Sequence, residues 1–430
     1  MKDKIYLDYA ATTPLDPEVF EAMKPYFMED FGNASSAHQF GQKARQGLDK
    51  ARGEVAEFFG CKPEEVIFNS GATESNNLAI KGIIYKIHSS PPARDLPKGE
   101  KSKVPAEDEA RQGRQSLPHI ITSKIEHHCV LDTCKNLEET KMAEVTYLEV
   151  NREGLVEISE VEKAIKENTV LISIMYANNE IGTVQPIEEI GKLVRKINVS
   201  RQEKDKIYFH TDAVQATNYL NCNVDSLGVD LLAISAHKFY GPKGVGVLYI
   251  RKGTPIKKIQ DGGAHEYDLR AGTYNIGGIV GLGKAISMIN GETAQRVKKL
   301  RDKLIDGVLK NIPNSKLNGS PEKRLQNNAN FSFPGAEGES IMMALDLEGI
   351  AVSTGSACAS ENLQPSHVLT ALGLGHEDAH TSIRVTLGKY TNEQEIDKFL
   401  EILPKVIERL RKISGSGGQA KKKLPDDFGC

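Results

Sequence analysis

Short apolar runs alternate with longer amphipathic segments through the first two thirds of the chain. Short apolar runs bounded by polar residues are typical of buried strands, whereas apolar residues spaced three and four apart predict helices. Strands are predicted at residues 66–69, 119–123, 144–148, 170–176, 206–210, 230–235 and 245–250. Helices are predicted at 17–26, 42–59, 75–87, 130–140, 158–165 and 186–197. Because strands alternate with helices, we expect an α/β domain with a mostly parallel sheet.

The last third of the chain has a different pattern. Apolar residues at helical spacing predict amphipathic helices over 297–312 and 396–410. Thr391 opens the second helix, with Gln394 at the spacing of a capping box. Short strands are predicted between the two helices, at 330–333, 351–353 and 382–387. We therefore expect two domains, a large α/β domain over 15–262 and a small α+β domain built from 1–14 and 263–412.

Two segments have compositions that do not favour a packed core. Residues 89–118 are rich in Pro, Lys, Glu, Arg and Gln and have few apolar side chains. Such a segment buries too little surface to offset its loss of conformational entropy, so a disordered, low-complexity insertion in the large domain is predicted. The Gly- and Lys-rich tail over 413–430 is predicted to be flexible.

Composition narrows the functional classes. The chain has 430 residues and a formal net charge of −3, which argues against a nucleic-acid binder held by bulk electrostatics. The first residues lack the apolar region of a secretory signal, and no apolar run approaches the length of a membrane span. These features predict a cytoplasmic protein.

The six cysteines include no Cys-x-x-Cys pair, which is consistent with free thiols in a reducing compartment. Glu126, His127, His128 and Cys129 are adjacent and superficially suggest metal ligands. Adjacent residues point in different directions, however, and no second ligand pair follows at zinc-site spacing. No metal site is predicted.

The strongest chemical signal is a lysine at the end of a predicted strand. The apolar run 230–235 leads directly into His237 and Lys238, and the neighbouring predicted strand leads to Asp212 and Gln215. Ligands of parallel sheets gather at the carboxyl ends of strands. A lysine amine there suits a Schiff base with pyridoxal 5′-phosphate (PLP), and a carboxylate keeps the pyridine nitrogen protonated. This pair of residues predicts PLP as the cofactor.

A polar block that follows the first predicted strand of the sheet suggests a phosphate site. Backbone amides at the start of the helix near Ala72, with the hydroxyls of Thr73 and Ser75, would form a cup for an anion. A plain capped helix start explains the same residues equally well. Ser235 and His237 add donors beside the lysine and favour the phosphate site.

Three further residues gain interest only beside such a cofactor. His127 could stack on the ring and move protons, although a lone histidine is more often structural. Cys358 stands in a run of small residues, where a thiol is accessible and can react. The planar guanidinium of Arg384 can bind a carboxylate through two hydrogen bonds, although an arginine is more often part of a surface ion pair.

Taken together, these blocks resemble the NifS/IscS-type cysteine desulfurases, which belong to the class V aminotransferases. The resemblance extends from Tyr6 to about Arg411 and is broken by the insertion. It implies the aspartate aminotransferase-like fold of PLP-dependent transferases, with a large, mostly parallel sheet domain and a smaller α+β domain. The matching blocks are residues 6–14, 31–36, 70–75, 178–182, 235–238 and 355–358.

The resemblance also implies roles for individual residues. Lys238 resembles the lysine that binds PLP covalently, Asp212 the partner of the ring nitrogen, and Cys358 the thiol that becomes a persulfide. Thr273 resembles a threonine that reaches the phosphate in the other subunit, which implies a homodimer with shared sites. The remaining implied roles are ring stacking and catalysis for His127, further cofactor contacts for Gln215, Asn179, Ala72, Thr73, Ser235 and His237, and binding of the substrate carboxylate for Asn33 and Arg384.

The activity implied by the resemblance is conversion of L-cysteine to L-alanine with transfer of sulfur to Cys358. The spacing from this cysteine to Pro365 resembles the long-loop subgroup, and the implied acceptor is an iron–sulfur scaffold or a tRNA-thiolation protein. A selenocysteine lyase, another class V aminotransferase or a catalytically silent dimeric platform for iron–sulfur assembly remain alternatives. A nicotinamide-dependent oxidoreductase is disfavoured because the dinucleotide fingerprint is missing.

Overall fold

The structure, a computed structural model, describes residues 4–89, 116–354 and 365–415. Most of the predicted insertion, the segment around Cys358 and nearly all of the predicted tail lie outside these residues. Within them the strands are β1 (Ile5–Tyr6), β2 (Val66–Asn69), β3 (His119–Ser123), β4 (Glu144–Leu148), β5 (Thr169–Ser173), β6 (Tyr208–Asp212), β7 (Leu231–Ser235), β8 (Gly246–Ile250), β9 (Lys316–Leu317), β10 (Asn328–Ser332), β11 (Ile350–Ala351) and β12 (Ser382–Thr386).

The helices lie mainly between these strands. They are α1 (Pro17–Met23), α2 (Pro25–Met28), α3 (Gln39–Phe59), α4 (Ala72–Ser89), α5 (His128–Glu139), α6 (Ile158–Ala164), α7 (Ile187–Asn198), α8 (Val224–Leu227), α9 (Ile276–Ser287), α10 (Gly291–Asn311), α11 (Gly338–Leu347), α12 (His367–Ala371), α13 (His376–His380) and α14 (Glu393–Ile413). A kinked helical turn at His265–Asp268 has left-handed backbone at Glu266 and Tyr267. None of the helices in the described ranges is long and apolar enough to cross a membrane.

Seven strands form one large sheet in the order β2-β8-β7-β6-β5-β3-β4. Neighbouring strands from β7 to β4 run parallel, and β8 runs antiparallel to both of its neighbours, so β2 has the direction of the parallel set. The mostly parallel sheet predicted from the sequence is therefore present. The carboxyl ends of β2, β3, β5, β6 and β7 meet at one edge, where ligand sites of such sheets lie.

Both faces of the large sheet are covered by helices. Alternate side chains of β7 enter two different cores, with Leu232 and Ile234 on one face and Leu231 and Ala233 on the other. Helices α3, α7 and α9 cover the first face, and α4 and α5 cover the second. Burial on both faces explains why the strands appear as nearly continuous apolar runs in the sequence.

A separate core lies around the antiparallel sheet β12-β10-β9. It takes apolar side chains from α10, α11 and α14 and from the start of the chain at Ile5 and Leu7. Helix α9, which falls within the range predicted for the small domain, packs on the large core instead. The predicted domain boundaries stay a prediction.

The start of α14 differs from the sequence prediction by one residue. Asn392 and Glu395 form the capping box, since each side chain accepts a hydrogen bond from the backbone N–H of the other residue. The hydroxyl of Thr391 instead accepts from the N–H of Gly388. The predicted cap at Thr391 with Gln394 is therefore wrong, because a turn with Gly388 uses the threonine.

Candidate active site

A cavity of about 780 Å³ opens at the carboxyl edge of the large sheet. Turns that follow β2, β3, β6 and β7 line it, together with the start of the chain and the residues just before α12. Cofactor and substrate sites have volumes of about 300–1,000 Å³, so the cavity is large enough for both. The predicted site residues that line it are Ala72, Thr73, His127, Asn179, Asp212, Gln215, Ser235, His237, Lys238 and Arg384.

Lys238 follows β7 at the end of a short 3-10 turn. Its Nζ donates hydrogen bonds to the carbonyl oxygens of Ala10 and Ala11, over 2.6 and 2.8 Å. Residues 10–13 lie against this turn because the N–H and the hydroxyl of Thr13 both donate to the carbonyl oxygen of His237. The start of the chain thus positions the amine in the cavity, a contact between residues more than 220 positions apart.

Asp212, the last residue of β6, directs its carboxylate into the same cavity. Its Oδ1 accepts from the N–H of Val214 at 3.0 Å, and its Oδ2 accepts from Nδ2 of Asn76 at 2.7 Å. The amide of Gln215 donates to the carbonyl oxygen of Ala10 at 3.0 Å. Asn76 was not singled out from the sequence, although it lies inside the polar block of the predicted phosphate site. The side-chain amide of Asn76 on α4 and the N–H of Val214 therefore orient the buried carboxylate at the end of β6.

His127 lies at the N-cap of α5, after β3. Its Nδ1 accepts from the N–H of Cys129 at 3.1 Å and is 3.0 Å from the Sγ of the same residue, so the neutral ring carries its proton on Nε2. Burial lowers the pKa of His127, Asp212 opposes this effect, and Lys238 adds to it. Within the described ranges, no group of three or more His, Cys, Asp or Glu side chains is arranged to hold a metal.

The predicted phosphate cup lies where β2 leads into α4. Gly71 has a φ of +147°, and a Cβ there would lie 3.5 Å from the hydroxyl oxygen of Ser235. The backbone at Ala72 and Thr73 begins the helix, so its first N–H groups lack partners within the helix and can bind an anion. The turn therefore leaves room for a phosphate oxygen between a helix start and a serine hydroxyl.

Two residues of this cup differ in their environment. His237 lines the cavity with its Nδ1 3.1 Å from the hydroxyl of Thr12, and burial with the charges of Lys238 and Lys243 lowers its pKa to about 4. Ser75 is fully buried and its hydroxyl accepts from Nδ2 of Asn69 at 2.6 Å. The predicted phosphate contact through the Ser75 hydroxyl is therefore wrong, because this hydroxyl bonds within the protein interior.

Arg384 comes from β12 and reaches the cavity from the small antiparallel sheet. It is only 4% exposed, with one Nη atom 2.8 Å from Oδ1 of Asp8 and the other 3.0 Å from the carbonyl oxygen of Asn179. Its Nε has no hydrogen-bond partner among the described residues. A buried guanidinium with spare donor capacity is suited to a carboxylate ligand.

Of the remaining predicted site residues, Asn33 and Thr273 do not line this cavity. Asn33 is exposed, and its Oδ1 accepts a hydrogen bond from the N–H of Ser35 at 2.9 Å. Thr273 is exposed as well. Cys358 lies outside the described residues, which resume at Pro365 on the cavity wall.

Two buried glutamates beside the cavity were not singled out for the site from the sequence. Glu126 is fully buried and accepts from the hydroxyl of Ser123 and the N–H of Met175, and burial raises its pKa to about 8. Glu180 lines the cavity, its carboxylate accepts from the hydroxyl of Ser366 at 2.5 Å, and burial raises its pKa to about 7. Neither position carries a clear local sequence signal of burial, since Glu126 stands directly before His127 and His128, and Glu180 directly after Asn178 and Asn179.

Glu126 should make the stability of the protein depend on pH. Between the ordinary pKa of about 4.5 and the folded value of about 8, the folded chain holds a proton that the unfolded chain has released. The free energy of unfolding is therefore predicted to fall as the pH rises through this range. The loss is a few kcal/mol, since a pKa difference of one corresponds to about 1.4 kcal/mol.

Urea unfolding of Glu126→Gln at several pH values checks this expectation. The variant should lose much less stability than the unchanged protein between about pH 5 and about pH 8. Glu139→Gln, at an exposed position of α5, is the matched control and should keep the original pH dependence. Parallel pH profiles for Glu126→Gln and the unchanged protein would contradict an uncharged Glu126.

Comparisons with known proteins agree with this arrangement. The model of the class V aminotransferase family matches residues 5–91 and 108–399, and the gap falls within the predicted insertion. A cysteine desulfurase IscS of Dictyoglomus turgidum is 50% identical over 417 residues, which cover 96% of this chain and 97% of that protein.

Solved structures show the same similarity. A NifS-like protein superposes with a TM-score of 0.80 at 36% identity, over 94% of this chain and 99% of that one. A structure described as SspA in complex with cysteine has a TM-score of 0.74 at 36% identity, over 90% and 100% of the two chains. The fold and the resemblance inferred from the sequence motifs are confirmed. The chain belongs to the class V aminotransferase family, within the group of NifS/IscS-type cysteine desulfurases.

Proposed function

We propose that this protein is a PLP-dependent cysteine desulfurase that converts L-cysteine to L-alanine and leaves the sulfur as a persulfide on Cys358. The observation that carries the proposal is the convergence of Lys238, Asp212 and Arg384 on one cavity beside an anion cup. An amine, a carboxylate and a guanidinium in that relation match the aldehyde and ring nitrogen of PLP and the carboxylate of an amino acid.

The residues present fit PLP. Its phosphate suits the helix start near Gly71, where a glycine with positive φ leaves space next to the Ser235 hydroxyl. Its protonated ring nitrogen suits Asp212, whose two carboxylate oxygens are already oriented by Asn76 and by a backbone N–H. When bound, PLP stores the electron pair left on the substrate Cα, which makes the Cα proton and the C–S bond labile.

The protein's own residues then bind the substrate and move protons. Arg384 would hold the α-carboxylate, and it can do so while Asp8 keeps the guanidinium in place. A contact from Asn33 to the same carboxylate rests on the resemblance alone, because Asn33 does not line the cavity of its own chain. Lys238 would take the Cα proton, because its Nζ is already held at the cavity wall by two carbonyl oxygens. His127, with its proton on Nε2, would act as an acid or as a proton relay rather than as a base at Nε2.

The sulfur step conserves atoms and electrons. The thiolate of Cys358 attacks the sulfur of the substrate, a new S–S bond forms, and the C–S bond of the substrate breaks. The substrate carbon gains a proton and leaves as L-alanine, so L-cysteine plus a thiol becomes L-alanine plus a persulfide. This step requires a deprotonated thiol.

The experiment that tests the function replaces this thiol. Cys358→Ser should still change its visible spectrum when L-cysteine is added, because cofactor and substrate bind normally, yet it should produce almost no alanine or persulfide. Cys61→Ser is the matched control, since this half-buried thiol is outside the cavity and its loss should leave both products unchanged. Alanine formation by Cys358→Ser at the original rate would disprove the role of the thiol.

We also propose that the protein acts as a cytoplasmic homodimer that supplies sulfur to an iron–sulfur scaffold or another sulfur acceptor. Phe27, Met28, Phe31 and Phe40 are large apolar side chains left exposed on the single chain, and burial in a subunit interface would remove them from water. Thr273 is exposed, as expected for a residue that acts in the site of a partner. Iron–sulfur cluster assembly is the use of the sulfur that the relationship to IscS proteins supports best.

A further inference from the structure

We propose that the buried ion pair of Arg52 and Glu266 is a positioning device for the segment that presents Thr273 to the cofactor phosphate of the partner subunit. This inference rests on the proposed function, and on the shared sites of the proposed homodimer in particular. Neither Arg52 nor Glu266 lines the cavity of its own chain. Both are therefore positioning residues, which act through the backbone between Glu266 and Thr273.

The ion pair is bidentate and almost completely buried. The two carboxylate oxygens of Glu266 are 2.6 and 2.9 Å from the two Nη atoms of Arg52, and both residues are at most 5% exposed. One of these oxygens also accepts from the N–H of Phe68 in β2 at 2.9 Å, and the guanidinium donates to the carbonyl oxygen of Val66. The carboxylate thus ties the segment after residue 264 to both α3 and the large sheet.

The backbone around Glu266 is strained. Glu266, Tyr267 and Asp268 have φ values of +46°, +57° and +64°, a run of three left-handed residues that all carry a Cβ. Left-handed backbone is unfavourable for such residues, so surrounding contacts must hold it. The bidentate pair with Arg52 is the buried contact that does so at the first of the three residues.

Further ionic contacts continue from this turn toward the phosphate cup. Asp268 is 2.9 Å from the Nζ of Lys258, and Arg270 donates to Glu74 at 2.8 Å. Glu74 lines the cavity and accepts from the N–H and hydroxyl of Ser70. The segment therefore contacts the cup of its own chain along one side.

The end of the segment turns away from that cavity. Gly272 has a φ of +112°, and Thr273 behind it is exposed and absent from the lining of the cavity in its own chain. A residue presented in this way is accessible to a second chain. If the ion pair sets the path of the segment, its loss should weaken cofactor binding in the partner's site more than in its own.

Mixed dimers with two different affinity tags separate these possibilities. In the first dimer, one chain carries Lys238→Ala and Glu266→Gln, and the other is unchanged. The Lys238 of the unchanged chain then faces the altered segment, so the PLP concentration needed for half-maximal borohydride trapping on it should rise by about tenfold or more. This readout does not depend on turnover.

In the second dimer, Lys238→Ala and Glu266→Gln are on different chains. The remaining Lys238 then faces an intact segment of its partner, and the PLP concentration for half-maximal trapping should be closer to that of a dimer with a single Lys238→Ala chain than to that of the first dimer. Trapping that is normal in the first dimer and defective in the second would overturn the proposal, because the ion pair would then support its own chain alone. Normal trapping in both dimers would overturn it too.

Two further variants keep the test informative. Arg52→Lys keeps the charge but lacks the planar fork, so it should give a smaller defect in the same, partner-directed pattern. Asp268→Gly, added to the Glu266→Gln chain, should restore part of the binding because glycine adopts a positive φ without strain. No rescue and no partner-directed pattern in either variant would argue against the positioning role.

Thr273→Val in place of Glu266→Gln distinguishes failure of the inference from failure of the proposed function. A partner-directed defect with Thr273→Val but none with Glu266→Gln would refute only the role of the ion pair. If Thr273→Val has no effect in either arrangement, the shared site itself is wrong.

Discussion

Replacement of Lys238 by alanine is expected to abolish formation of alanine from L-cysteine. The change removes the amine proposed to bind PLP covalently and to take the Cα proton. Proton transfer by a positioned side chain contributes about 10²–10⁴-fold, and loss of the covalent link adds to this, so kcat should fall by about 10⁴-fold or more. Alanine measured by amino-acid analysis, over a range of enzyme concentrations, checks the expectation.

The cofactor itself provides a second readout for the Lys238→Ala variant. Borohydride treatment of the unchanged, PLP-loaded protein should leave a pyridoxyl group on the peptide that contains Lys238, and the variant should retain none after denaturation. Lys252→Ala, at an exposed position after β8, should behave as the unchanged protein does. A pyridoxyl group on a different lysine of the unchanged protein would remove the basis of the proposed function.

Replacement of Asp212 by asparagine should have the second largest effect. In the proposed site, a neutral amide would no longer stabilise the protonated ring nitrogen, so PLP would lose much of its capacity to store electrons. In the unchanged protein, Nδ2 of Asn76 donates to a carboxylate oxygen of Asp212 at 2.7 Å, and the replacement puts a neutral amide next to this donor. We expect kcat to fall by about 10²–10³-fold, the scale on which loss of one preorganised electrostatic contact slows an enzyme.

The Asp212→Asn variant should separate binding from chemistry. Lys238 and the phosphate cup are unchanged, so borohydride trapping of PLP should persist at saturating cofactor while turnover is lost. Asp205→Asn, at an exposed position, serves as the control and should retain activity. Full turnover in Asp212→Asn would show that another group keeps the ring nitrogen protonated.

Local pattern was sufficient for the strands that build the site. The strands β2, β3 and β4 begin and end at the predicted residues, because short apolar runs between polar residues have one favourable arrangement in a sheet covered on both faces. The bounds of β5 and β6 differ from the predicted ones by one to three residues, because periodicity does not determine where a strand ends. Lys238 and Asp212 could be expected to meet, since they lie at or just after the carboxyl ends of neighbouring parallel strands.

Contacts between distant parts of the chain could not be read from the same pattern. Asp8 pairs with Arg384 across 376 positions, and Arg52 pairs with Glu266 across 214. Either arginine alone suggests a surface ion pair, because most arginines are exposed. Only the folded chain shows that both arginines are buried, so that water does not replace their carboxylate partners.

By itself, the sequence determined the alternation of strands and helices, the carboxyl edge at which chemistry takes place and the motifs that assign the chain to its family. These are local properties, set by the period of apolar residues and by short runs of specific side chains. Only the tertiary structure decided which buried groups are protonated. It also decided which residues orient Lys238, Asp212 and the segment before Thr273. The physical reason is that pKa values and ion-pair geometry depend on burial and on neighbours that are remote in the sequence.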